Sequence, residues 1–113
     1  MPIPLAEFRV EHFEPRIQER FRFLRPDAAP DESDPAVELI LLEAQWLPNP
    51  EGYPARPPFT LLFELSEGRP LSVHPHRLQT EGFEECDLLL TRVWVPNRMR
   101  EKPTGMFYEA VFA

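Results

Sequence analysis

The segment FTLLFEL, residues 59–65, constrains this chain more than any other stretch. Phe59, Leu61, Phe63 and Leu65 fall on one side of an extended backbone, and Thr60, Leu62 and Glu64 fall on the other. That is the period-two pattern of a strand with one buried face. The pattern continues to the far end. Residues 84–95 set Leu88, Leu90 and Trp94 against Leu89, Val93 and Val95. Residues 105–112 set Tyr108, Ala110 and Phe112 against Phe107 and Val111, in a closing strand MFYEAVF with almost nothing after it. The expectation is one complete small β domain over residues 1–113.

Proline limits what can join these strands. The chain holds 15 Pro and only 4 Gly in 113 residues. Helix interiors and central strands both reject Pro, so the elements must be short and their connections stiff. Residues 19–25, ERFRFLR, alternate with Phe21 and Phe23 on one side. Residues 36–47, AVELILLEAQWL, fit either period, since a helix would gather Val37, Leu41 and Ala44. Pro35 and Pro48 bound the run, and a stretch apolar on both faces suits a central strand covered on both sides. Residues 71–79 read as a weaker strand, with Pro75 confining it to an edge or a bulge. Residues 4–13 read as a short helix with Pro4 at its start and Leu5, Phe8 and His12 at helical spacing, continued by Phe13 and Ile17. PDAAPDESDP, PNPEGYPARPP and NRMREKPTG read as loops. The expected fold is all-β, a small antiparallel barrel or sandwich of about six strands with one short N-terminal helix.

Charge narrows the function. The net charge is −7. Between Arg25 and Arg56 there is no basic residue, and the seven acids there, Asp27, Asp31, Glu32, Asp34, Glu38, Glu43 and Glu51, match the whole excess. An acidic chain without a basic stripe argues against nucleic acid and against anionic membrane surfaces. The longest aliphatic run, Leu39 to Leu42, is too short to span a bilayer. The first residues lack the basic and apolar regions of a signal peptide, so a cytoplasmic location, or a place in a larger assembly, is expected.

Four segments together resemble a family of small uncharacterised bacterial all-β domains: HFEPRIQERFRF, FTLLFEL, LSVHPHRLQTEGFEECDLLLTRV and FYEAVFA. The F-x-L-x-F strand and the closing Tyr108, Glu109, Ala110 and Phe112 carry the likeness. Such domains often have a Gly before the first strand, where this chain has Gln18 and Glu19, and a Tyr near His76 or Arg77. Their middle segment is also shorter. The resemblance implies no catalytic residue. Genes of this type often lie near phage-tail-collar-like proteins, which implies a role in a tail-like or fibre-like assembly.

The residues themselves offer few sites. His74 and His76, two apart on a strand, would share a face. Zinc needs three or four ligands, and only Glu84, Glu85, Asp87 or the distant His12 could complete the set, so two exposed edge imidazoles are the simpler expectation. Cys86 is the one cysteine. Acidic neighbours Glu84, Glu85 and Asp87 oppose the thiolate that a nucleophile requires, which leaves a buried structural thiol. Glu84 with Asp87 invites an acid–base pair, but acids are common here and a domain this small offers little cleft. Ser66 and Ser72 lack a nucleophile-elbow setting. No enzyme activity, metal or other cofactor is expected.

Interaction chemistry remains. Trp46, Tyr53, Arg56 and Trp94 are residue types that anchor interfaces. Arg98, Arg100 and Lys102 form a basic loop opposite in sign to the acidic segment containing Asp31, Glu32 and Asp34, so two copies could pair head to tail or each could meet a complementary subunit. The expectation is a non-enzymatic structural or adaptor domain binding a protein, either itself or a fibre- or tail-like subunit. An assembly chaperone for such a fibre, or a barrel holding a small ligand against the Phe59, Leu61 and Phe63 face, are the alternatives.

Overall fold

The structure is a computed structural model, and it describes residues 2–25, 36–47, 58–65, 70–71, 75–102 and 105–112. Among them seven strands form one antiparallel sheet: β1 Arg20–Leu24, β2 Ala36–Trp46, β3 Phe59–Leu65, β4 Pro75–Leu78, β5 Cys86–Leu89, β6 Thr91–Val93 and β7 Met106–Phe112. Their order is β5-β4-β1-β2-β3-β7-β6. The two outermost strands are consecutive in sequence, joined only through Leu90. The stretch expected as one strand over 84–95 therefore pairs with β4 up to Leu89 and with β7 from Thr91. By changing partners at Leu90 it brings the two ends of the sheet together. The fold is all-β and the sheet is a nearly closed barrel, not a sandwich.

Alternation holds where one face is buried. Phe59, Leu61 and Phe63 are fully buried inside, joined by Phe21, Phe23, Leu39, Leu41 and Leu78. Rings fill this interior. Phe59 stacks on Phe112 at 4.6 Å, and Phe63 meets Phe21 and Phe23 edge-on at 5.6 and 5.5 Å. Trp94 departs from the expected pattern. It lies past the end of β6 and is 78 % exposed instead of sharing the inner face with Leu88 and Leu90.

The long strand was ambiguous for a reason now visible. Its register against β3 slips between Leu41 and Glu43, so Leu42 is an extra residue at a β-bulge. Val37, Leu39 and Leu41 point inward before the bulge, and Ala44 packs against the core after it. A bulge re-aims side chains. Here it sets Leu42 and Glu43 together opposite Leu62, on the outer face.

The N-terminal helix is in fact three short pieces. Leu5–Glu7 is one 3-10 turn, α1 spans Val10–Phe13, and Glu14–Arg16 is a second 3-10 turn containing Pro15. Phe8 and Arg9 between them are extended, with ψ of 131° and 157°. That break lets Phe8 and Phe13 both enter the core, which continuous helical spacing would not. Phe13 stacks on Phe83 at 4.7 Å and stands 5.7 Å from Phe59. The segment thus packs into the barrel interior. Arg16 fixes its end, lying 5.0 Å over the Phe21 ring and donating to the Glu81 carbonyl at 2.8 Å. Gln18 follows at φ 77°, a left-handed position that favours glycine. Its N–H bonds the Leu41 carbonyl at 2.7 Å.

Two further expectations change. Residues Pro96–Glu101 form a helix, α2, not a loop. Strand β4 is paired on both sides. Pro75 is tolerated because it is the first residue of β4, and the β1 pairing reaches only Arg77 and Leu78.

Candidate functional site

Helix α2 defines the most developed site among the described residues. It follows Pro96, whose fixed φ suits a first helical position, and it lies over the outer face of the sheet. The pairings Ile40↔Glu64 and Glu64↔Phe107, extended to Arg20 and Val93, lay one outer row across five strands. Glu64 sits at its centre. The alternation of FTLLFEL puts Glu64 on the solvent side of the strand, yet it is only 2 % exposed. Phe107 beside it and Leu42 at the bulge are also buried, outside the barrel's main core. They form a second, smaller apolar layer beneath α2.

Two ion pairs hold the helix down. Arg98 Nε and Nη2 both donate to Glu43 Oε2, at 3.2 and 2.9 Å. Gln45 Nε2 donates to the other carboxylate oxygen at 2.7 Å. Lys102 Nζ donates to Glu64 Oε1 at 3.3 Å. Glu64 Oε2 is buried and accepts no hydrogen bond among the described residues. Leaving such an atom unsatisfied costs about 1–3 kcal/mol, more when charged. Gly105 packs closely above it: a Cβ there would lie 3.2 Å from Oε2 and 3.3 Å from the Lys102 carbonyl, so a side chain would displace one of them by a few tenths of an ångström.

Between α2 and the sheet is a half-open cavity of about 220 Å³. Ile40, Leu42 and Phe107 give it an apolar wall, and Gln18, Glu64, Arg98, Glu101 and Lys102 give it polar groups of both signs. Charged groups of the helix and an apolar wall thus meet at this cavity.

The residues singled out from sequence fare unequally. Arg98 and Lys102 are brought together on this lid, and their partners lie within the same chain. Arg98 meets Glu43 of the acidic stretch, so the two oppositely charged segments touch inside one molecule. Arg100 is exposed. Tyr53, Arg56, Asp31, Glu32 and Asp34 lie outside the described residues, as does His74. His76 is fully buried between β1 and β5, not an exposed edge imidazole. Among the described residues no group of three His, Cys, Asp or Glu stands close enough to hold a metal ion. Cys86 is buried as expected, and burial first, then the charges of Glu84 and Asp87, push its thiol pKa up, against a smaller lowering by Arg77. No described helix is long and apolar enough to cross a membrane.

Sequence reasoning missed Glu64 and the cavity. Its one signal was Pro96, a helix-start residue ahead of a segment without apolar periodicity.

Two further apolar side chains are exposed on the outer face. Leu89 and Val111 are each 58 % exposed. Leu89 ends β5, where the strand changes partners, and Val111 lies near the end of β7. Trp46, 51 % exposed, stands at the end of the barrel marked by Phe59 and Phe112, and Trp94 stands past β6 at the opposite end.

No curated protein and no solved structure matches the chain. Residues 8–112, which span every strand described above, match one family model, and the chain belongs to that family, a domain of unknown function, DUF6916.

Proposed function

We propose that this domain is a non-enzymatic adaptor that docks onto another protein through the outer seam of its barrel. The observation that carries the reading is the exposure of Leu89 and Val111 on the outer face of a nearly closed, ring-filled barrel. Apolar side chains fixed on rigid strands lose little entropy on docking. The interior face of Phe59, Leu61 and Phe63 is occupied by neighbouring rings, which disfavours the alternative of a ligand held inside the barrel. The net charge of −7 suits a partner with a basic rim around an apolar centre. The likeness of FTLLFEL and FYEAVFA to domains encoded beside tail-collar-like proteins supports a partner in a tail-like or fibre-like assembly.

The test is affinity capture from the native lysate with mass spectrometry and sizing, comparing wild type with the double variant Leu89→Lys and Val111→Lys. Stoichiometric capture of a fibre- or tail-like protein, lost in a variant that melts like wild type, is the expected result. Capture unaffected by the double variant overturns the seam as the docking face. A wild-type monomer with no stoichiometric partner overturns the adaptor reading.

A further inference from the structure

We propose that Lys102 is an acylation site, and that its acylation releases helix α2 from the sheet. This is separate from protein docking at Leu89 and Val111, since Lys102 ends α2 and its side chain pairs with Glu64 of β3.

The sequence sets up a contrast. Lys102 is the only lysine in 113 residues, against eleven arginines. Arginine is the better partner for a buried carboxylate, because its planar fork can serve both oxygens at once. Yet Glu64, the one acid buried among the described residues, is paired with the lysine. Lys102 Nζ lies 3.3 Å from Glu64 Oε1, and the carboxylate has no other hydrogen-bond or ion-pair partner among the described residues. The two side chains also differ in access. Glu64 is 3 % exposed and Lys102 is 57 % exposed, so a reagent in solution reaches the amine and not the acid. Acylation takes away a lysine's charge, and arginine offers no such switch. The buried acid thus depends on the one cation of the chain that this chemistry can neutralise.

The donor is of the acyl phosphate class. Nζ attacks the acyl carbon, an N–C bond forms, and the C–O bond to phosphate breaks with its electron pair going to the phosphate. Of the two protons the ammonium gives up, one goes to the departing phosphate and one to water. The amide product keeps one N–H but carries no charge. Glu64 is then a buried carboxylate without a counter-charge, the costly outcome when one partner of a buried pair is removed. Little else holds the helix. None of its six residues is buried, and a helix so short does not persist alone in water. The Arg98–Glu43 pair is about one-third exposed on each side, where an ion pair contributes little. Lifting α2 lets water reach Glu64 and uncovers Phe107 and Leu42, which line the cavity beneath it.

The test treats the full chain with acetyl phosphate, maps the modified amines by mass spectrometry and follows amide hydrogen exchange residue by residue. Wild type is compared with Lys102→Arg and Glu64→Gln. Lys102→Arg keeps the charge, cannot form the amide and controls for reaction at the N-terminal amine. Glu64→Gln keeps the lysine and removes the buried charge. The expected result is acetylation of Lys102 in the folded wild type, with exchange across residues 98–102 faster by about tenfold or more. Treated Lys102→Arg should show no change there, and acetylated Glu64→Gln a smaller gain. Lys102 left unmodified while the N-terminal amine reacts overturns the inference. Unchanged exchange in acetylated wild type, or an equal gain in Glu64→Gln, overturns it too. Should Glu64→Gln fail to fold, wild type and Lys102→Arg decide alone.

Discussion

Replacing Phe13 with Ala tests whether the N-terminal turns are part of the core or an ornament on it. Phe13 is 1 % exposed, and its ring stands within 6.2 Å of the rings of Phe8, Phe21, Phe59, Phe83 and Phe112. Truncating a buried Phe costs about 3–5 kcal/mol, with the cost rising as the site collapses less. Here collapse is resisted, because Phe21, Phe59 and Phe112 are fixed by β1, β3 and β7. The expected loss is about 4 kcal/mol, out of a total of about 5–15 kcal/mol for a domain of ordinary stability. In urea, with a slope of about 2 kcal/mol per molar, the midpoint would fall by about 2 M at constant slope. Ile17→Ala, at a position 37 % exposed, serves as the control and should cost less than about 1 kcal/mol. A loss below about 1.5 kcal/mol for Phe13→Ala would refute the argument, because it lies outside the range for a ring embedded in an aromatic core.

Gln18→Gly should stabilise the fold by about 0.5–1 kcal/mol, the relief at φ 77° exceeding the added chain entropy; thermal melts check it, and a loss would contradict the left-handed turn. The Arg98–Glu43 pair is about one-third exposed on each side, so a double-mutant cycle with Ala should give a coupling below about 1 kcal/mol that shrinks in salt. Cys86 carries a raised thiol pKa when folded, against an ordinary 9.0. The folded state thus holds that proton more tightly, and its contribution is full below pH 9.0 and lost as pH climbs through the folded value. Denaturation curves across alkaline pH should therefore fall more steeply for wild type than for Cys86→Ala, and parallel curves would count against it.

The strands were legible where burial is one-sided. Phe59–Leu65 and Met106–Phe112 alternate because a single inner face selects their residues. The Ala36–Trp46 run hid its period behind one bulged residue, Leu42, which no local rule announces. Helix α2 escaped notice because its six residues carry no apolar stripe, and none of them is buried. Glu64 illustrates the deeper limit. An acid on the polar side of an alternating strand reads as solvated, and only a helix arriving from more than thirty residues downstream takes it out of water. The burial of His76 is likewise tertiary, set by pairing on both sides of β4.

Strand β7 lies between β3 and β6, and its Phe112 ring stands 6.0 Å from that of Phe8. Such contacts close very long loops and come late in folding. On the ribosome, a chain without Met106–Phe112 has its two most distant sheet partners unbridged and one side of β3 bare. Strand β7 must therefore be made before the barrel can shut. Until then the open flank of β3, with its apolar neighbours, is a surface that other nascent strands can add to.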